Sequence, residues 1–451
     1  MNETVQYQIR GASASEVARS VEEGIRQGRL APGAGLPTVR ALAARLGISP
    51  TTVAAAYRGL QARGLLSARG RRGTRVAFRP PVSPGPSSFR VGDAEGQTSA
   101  RAARDLADGN PDPDLLPPLG PLLARLDPGP RLYGEASNRP ELVALAIRQL
   151  AADGIAATGL AIVGGAMDGI ERVLQAHLRP GDRVAVEDPG YTGVLDLVPA
   201  LGLVAEPMGL DDSGPLPDEM DRALRAGARA VILTPRAQNP TGAALDPPRA
   251  RALRAVLERH PEALLVEDDH AGPVAGAPAL TLTSRRRGPW AVVRSVSKSL
   301  GPDLRLAFLA GDPTTLARVE GRQRLGSGWV SHVLQGLVAR LCAAKGTGRL
   351  LAEATRRYAE RREALLAALR ARGIAAHGRS GLNVWVPVVE ELGTVQRLAA
   401  RGFAVRGGER YRLKSPPAVR ITVARLAPAE AMRVADDLLR SLAADGRSHT
   451  A

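Results

Sequence analysis

Between residues 160 and 310 the sequence keeps changing its hydrophobic period, and that alternation limits the fold more than any other feature. Short apolar runs at 160–163, 183–186, 230–233, 263–266, 291–293 and 306–310 are separated by stretches with helical spacing, of which 166–178 is the clearest. Strands that alternate with helices are joined by crossovers rather than by hairpins, so they predict a largely parallel sheet covered by helices. In such a sheet the loops at the carboxyl ends of the strands line the site. Those loops are where chemistry is to be sought.

The rest of the chain divides around this block. At 451 residues it exceeds one ordinary core. From residue 331 onward, long helices, notably 351–372, and strands near 383–386 and 419–423 predict a smaller α+β domain. Residues 79–104, rich in Pro, Gly, Ser and Ala, read as a flexible linker. Ahead of it, helices are expected at 15–27, 38–46 and 50–62, the last capped by Ser49 after the turn Gly47-Ile48-Ser49. Two short strands around a basic, glycine-containing turn follow at 64–77. Three helices and a basic hairpin make a winged helix-turn-helix. The expected division is therefore 1–78, linker 79–104, a large domain 105–330 and a small domain 331–451.

Charge narrows the role of the first segment. Of the formal net charge of +16, residues 1 to 80 hold +9, from 13 Arg against 4 Glu, and no carboxylate occurs between Glu23 and Asp93. An arginine-rich composition raises charge everywhere but does not remove acids from one segment, so an anion-facing surface is expected here. Elsewhere composition mainly excludes. No apolar run approaches the roughly 18 residues of a membrane span. The start lacks a basic segment followed by an apolar one, which points to the cytoplasm. The single cysteine, Cys342, forms no internal disulfide and sits in an apolar helical stretch that favours burial; the six histidines lack metal-ligand spacing, so no structural metal is expected.

Lysine is rare. Of 61 basic residues only Lys298, Lys345 and Lys414 are lysines. Lysine, unlike arginine, loses its proton on burial and can then attack a carbonyl. Lys298 follows the β-branched run at 290–294 within Ser295-Val-Ser297-Lys298-Ser299, and Arg305 comes seven residues later. Other strand ends supply complementary groups: Gln238-Asn239-Pro240-Thr241-Gly242 after Leu233, Glu267-Asp268-Asp269-His270 after Val266, and Tyr191 after Val186. Gly164-Gly165-Ala166 after Val163 opens a helix whose free N–H groups suit a phosphate.

On the elements Asn-Pro-Thr-Gly and Ser-x-Ser-Lys-x6-Arg, in that order, residues from about 105 to 445 resemble a fold type I aminotransferase, a family that uses pyridoxal 5′-phosphate. The resemblance implies that Lys298 forms the internal aldimine, Asp268 pairs with the pyridinium nitrogen, Asn239 bonds the phenolic oxygen and Tyr191 stacks on the ring. It implies a phosphate site of Ser295, Ser297, Arg305 and the Gly165-Ala166 amides, with Tyr133 reaching a phosphate in the neighbouring subunit. Arg420, in Val-Arg-Ile-Thr-Val, matches the arginine that clamps a substrate carboxylate. Two positions depart from the family: His270 stands near the ring oxygen where a tyrosine is usual, and Ala166-Met167 replaces a hydroxyl and a glutamine. These departures argue against efficient transamination.

Residues 7 to 78 resemble the GntR class of DNA-binding domains through Gly28-Arg-Leu-Ala-Pro-Gly33, Leu36-Pro-Thr-Val-Arg40, Gly47-Ile-Ser-Pro-Thr-Thr-Val53, Tyr57, Gly64-Leu-Leu and Arg72-Gly-Thr. In this reading the third helix enters the major groove by its N-terminal end, with Ser49, Thr51 and Thr52 as short donors. Arg40, Arg69, Arg71 and Arg72 neutralise phosphates, the last three on the wing. Pro50 and Ala54 stand where relatives often carry arginine, which shifts base readout toward the wing. A reader domain linked to an aminotransferase-like domain resembles the MocR subfamily of regulators. That implies a head-to-tail homodimer on a duplex operator, responding to pyridoxal phosphate or to an amino compound through an external aldimine. The alternative is a working aminotransferase with an accessory DNA arm.

Overall fold

The computed structural model describes residues 7–68, 73–76, 104–126, 129–284 and 288–448. Arg69, Arg71 and Arg72, and the expected linker except Arg104, lie outside the described residues.

In the N-terminal module, α1 (Ala14–Arg26), α2 (Val39–Leu46) and α3 (Pro50–Ala62) are each started by a hydroxyl: the side chains of Ser13, Thr38 and Ser49 accept from the backbone N–H groups of Glu16, Ala41 and Thr52. Each such cap is worth about 1 kcal/mol. Gly47, at φ 66°, stops α2 in the left-handed region that glycine enters cheaply, which permits the tight turn into α3. Val17, Val21, Leu42, Val53 and Leu60 form the core between the helices. Strands β1 (Leu66–Ala68) and β2 (Thr74–Val76) pair antiparallel as the wing.

The remainder begins with β3 (Arg104–Asp105). Eight strands then form the main sheet: β4 (Ala161–Val163), β5 (Arg183–Asp188), β6 (Val204–Asp211), β7 (Gly214–Pro215), β8 (Ala228–Leu233), β9 (Leu264–Asp269), β10 (Trp290–Ser295) and β11 (Ala307–Gly311). Their order is β4-β11-β10-β9-β8-β5-β6-β7. The central pairs β8–β9 and β9–β10 are parallel, and every residue of β9 and β10 is buried, as two-sided helix cover requires. The sheet departs from the parallel expectation at one side, where β11 runs antiparallel to both β10 and β4. The connection from 296 to 306 is too short for a helical crossover, so the chain must turn back, and Lys298 and Arg305 ride on that turn. β6 and β7 escaped the sequence reading because β6, next to the two-residue edge strand β7, has mixed exposure and no apolar run.

The small domain packs β12 (Asn383–Pro387), β14 (Arg406–Gly407) and β15 (Ala418–Thr422) in the order β12-β15-β14. Here β13 (Phe403–Ala404) pairs with β3, so Arg104 already belongs to a strand. The helix Lys345–Arg370 lies against this core of Leu365, Val384, Phe403, Val419 and Ile421. Among the described residues no helix is long and apolar enough to cross a membrane, and no group of three or more His, Cys, Asp or Glu is placed to hold a metal. Cys342 is half-buried in the helix His332–Ala343, and burial pushes its thiol up to about 11.

Candidate cofactor site and DNA-binding module

Strand alternation sends the neighbours Asp268 and Asp269 to opposite faces of the sheet, and they meet opposite fates. Asp269 takes a two-point bond from Arg236 (2.9 and 2.9 Å) and a third contact from Arg294 (2.7 Å). Although burial works to raise its pKa, these two arginines hold it below the usual carboxylate range. Asp268 is equally buried, yet its Oδ1 has no hydrogen-bond partner among the described residues. Burial first, then the charges of Asp269 and Glu187, pushes it up to about 7. A buried carboxylate oxygen without a donor is costly unless something binds there.

Lys298 is the amine of the same site. Its Nζ donates to the Gly109 carbonyl at 2.6 Å, and burial followed by the Arg420 charge lowers its pKa to about 8. Arg420, 3% exposed, reaches in from β15 of the small domain. Its Nη1 donates to Asn239 Oδ1 at 3.1 Å, its Nη2 to the Ala107 carbonyl, and the guanidinium lies 5.1 Å from the Tyr411 ring centre. Asn239 also accepts from Asn383 Nδ2 at 3.4 Å. Tyr191 stands among Asp268, Tyr411, Arg420 and Arg305, and burial with the Asp268 charge raises its phenol.

At the far end, Arg305 sits in a left-handed conformation (φ 43°) with its guanidinium against Gly165. Gly165 has φ 104°, which L side chains rarely adopt, and a Cβ there would also lie 3.1 Å from Arg305 Nη2, so glycine suits this cradle. Ala166 begins the helix Ala166–His177, while Ser295 ends β10 with its Oγ accepting from the Ser297 amide at 3.2 Å. His270 Nε2 donates to the Ala237 carbonyl at 2.8 Å. Because a carbonyl only accepts, Nε2 carries the proton; burial and the nearby Lys298 keep the ring neutral, with its pKa lowered to about 4.

The structure thus links Arg420 to Asn239, Lys298 and Tyr191, Tyr191 to Asp268, and Lys298 to His270, with Gly165 and Arg305 together at the helix start. It does not bring Tyr133 to them: that side chain is 91% exposed and packs edge-on against Trp329 at 5.7 Å. The sequence reading missed Gly109, Tyr411 and Asn383. Only the turn-forming run Gly109-Asn110-Pro111-Asp112 carried a signal; Tyr411 and Asn383 become neighbours of Asn239 and Arg420 solely through tertiary packing.

Pyridoxal phosphate fits these residues. They include a buried acid whose Oδ1 has no partner among the described residues, an amine of lowered pKa, and a glycine turn at a helix start that faces an arginine. In the N-terminal module, Arg40 is exposed in the first turn of α2, Ser49 and Thr51 are exposed at the start of α3, and Thr52 is half-buried. Ser49 and Thr52 share a 2.8 Å hydroxyl contact as part of the cap.

The fold and site define a protein that joins a winged helix-turn-helix to an aminotransferase-type body. Residues 133–438 match the family model "Aminotransferase class I and II", and 13–76 match "Bacterial regulatory proteins, gntR family". The chain belongs to the MocR subfamily of GntR-type regulators and is a DNA-binding transcriptional regulator with a pyridoxal-phosphate domain. It is 41% identical over 436 residues (96% of this chain, 99% of the relative) to the vitamin B6 salvage pathway transcriptional repressor PtsJ of Salmonella typhimurium. It is 28% identical over 376 residues (77% and 75%) to the probable rhizopine catabolism regulatory protein MocR of Rhizobium meliloti. Among solved structures, an archaeal alanine:glyoxylate aminotransferase shares the fold at a TM-score of 0.70 and 20% identity, covering 77% of this chain and 92% of its own.

Proposed function

We propose that this cytoplasmic regulator governs vitamin B6 or amino-acid genes, using pyridoxal phosphate held at Lys298 as its receptor. The carrying observation is the buried Asp268 Oδ1, which has no hydrogen-bond partner among the described residues, together with a Lys298 amine of lowered pKa. Bound there, the cofactor supplies an aldehyde carbon open to primary amines and an electron-withdrawing ring. Asp268 would accept a hydrogen bond from the protonated ring nitrogen, Asn239 and His270 would flank the ring oxygen, and Tyr191 would cover a face. Ser295, Ser297, Arg305 and the Gly165 and Ala166 amides hold the phosphate. The 91% exposure of Tyr133 supports a role completed by a partner subunit in a head-to-tail homodimer.

With the cofactor bound, Lys298 would be the amine with which an amino-compound effector competes, and Arg420, now donating to Asn239 and Ala107, would offer its guanidinium to the effector's carboxylate. Because Arg420 belongs to the small domain and Asn239 to the large, that exchange binds the two lobe arrangements unequally, which is what coupling to DNA requires. Pyridoxal phosphate as the signal itself uses the same site. On the operator, Arg40, Arg69, Arg71 and Arg72 contact phosphates, and Ser49, Thr51 and Thr52 lie at the groove. The role of PtsJ in B6 salvage supports genes of B6 supply as targets. The second reading, a working aminotransferase, rests on the same amine and arginine. A single-turnover assay across common amino donors separates them: slow or absent pyridoxamine phosphate release together with operator binding is expected, and fast release without operator binding overturns the regulator.

A further inference from the structure

The two segments that flank the ring site are joined by a buried hydrogen-bond clasp to which the roles above give no work. Gln238, fully buried, donates from Nε2 to Glu187 Oε2 (3.1 Å) and to the Pro189 carbonyl (2.9 Å). Its Oε1 accepts from the Thr241 amide (2.9 Å) and from Thr241 Oγ1 (2.7 Å). Two donors and two lone pairs are all that an amide side chain possesses, so Gln238 is saturated and cannot turn without losing a bond. Glu187, at the end of β5, accepts in addition from the Thr234 amide (2.9 Å) and Thr234 Oγ1 (3.0 Å).

The placement of this clasp gives it a task. Gln238 immediately precedes Asn239, and Pro189, whose carbonyl it grips, lies two residues before Tyr191. Glu187 spans the end of β5, from which the Tyr191 segment departs, and Thr234, from which the Asn239 loop departs. We propose that Glu187 and Gln238 are positioning residues that fix the separation of Tyr191 and Asn239, so that the cofactor ring is held at one tilt between them. This rests on the reading of the site as a pyridoxal-phosphate site. Three donors converge on the buried Glu187, so a carboxylate satisfies what an amide cannot: Glu187→Gln turns an NH2 toward donors. Burial pushes Glu187 up to about 7 while those donors pull it back, and its charge also bears on Asp268.

The test uses the full chain loaded with pyridoxal phosphate and freed of excess, as Glu187→Gln, Gln238→Leu, Gln238→Glu and the double exchange Glu187→Gln with Gln238→Glu. Each single change is expected to speed cofactor dissociation about tenfold and at least halve the visible circular dichroism of the bound chromophore. The exchange rebuilds one donor–acceptor pair between the two positions, so its loss falls short of the product of the two matching single losses, with Gln238→Glu as the second single. Dissociation and dichroism within about twofold of the unsubstituted chain overturn the proposal, as does a lower melting temperature of the cofactor-free protein with an unchanged chromophore. A colourless unsubstituted chain overturns the cofactor reading itself, whereas a coloured one with unaffected variants defeats only the clasp.

Discussion

The N-terminal module and the cofactor site handle charge in opposite ways. In the module, Arg40 is exposed, and the candidate groove contacts Ser49, Thr51 and Thr52 lie within four residues of one another at a helix start. In the cofactor site the ions are buried and come from all along the chain: Arg420 donates to Ala107 across 313 positions of sequence. Burial there changes the chemistry of each group, bringing Lys298 to about 8, Asp268 to about 7 and His270 to about 4. Exposed charge acts over distance and through salt, whereas buried charge acts by altering proton affinity. The proposed function uses the first to meet a polyanion and the second to prepare a covalent bond.

That contrast can be broken most severely at Lys298. Lys298→Ala is expected to abolish the covalent chromophore while leaving DNA binding measurable; an unchanged visible spectrum refutes the role of this amine. The next effect is in pH. Because the amine attacks only when neutral and its pKa is lowered to about 8, capture of pyridoxal phosphate by the cofactor-free protein should speed about tenfold per pH unit below that point and level off above it. A stopped-flow profile still climbing toward the ordinary lysine value of 10.5 would show that burial does not soften the amine. Smallest is Arg40→Ala, expected to weaken all duplexes alike and to lower the slope of log affinity against log salt by about one. A loss confined to one sequence would move Arg40 from phosphate to base contact.

Legibility followed the same division. Ser49 is recognisable as a cap because a hydroxyl ahead of Pro50 is a local instruction, and the helix over Pro50–Ala62 has the bounds expected of it. Lys298 stood out by rarity, and Asn239, Asp268 and Arg305 by their places at strand ends. Gly109 and Tyr411 did not, since neither lies at a strand end of the main sheet, and the clasp of Glu187 with Gln238 was hidden because both look like ordinary polar loop residues. The antiparallel β11 was missed for a related reason: apolar runs announce strands but not their direction.

The order of residues alone determined the modules, the helix starts and the acid-free basic segment, and singled out Lys298 as the candidate amine, because each depends on neighbours within a few positions or on composition. Only the tertiary structure decided which of two adjacent aspartates stays unpaired, which tautomer His270 holds, and that Arg420 meets Asn239. Those outcomes depend on which distant groups exclude water from one another, and desolvation has no local signature in a chain.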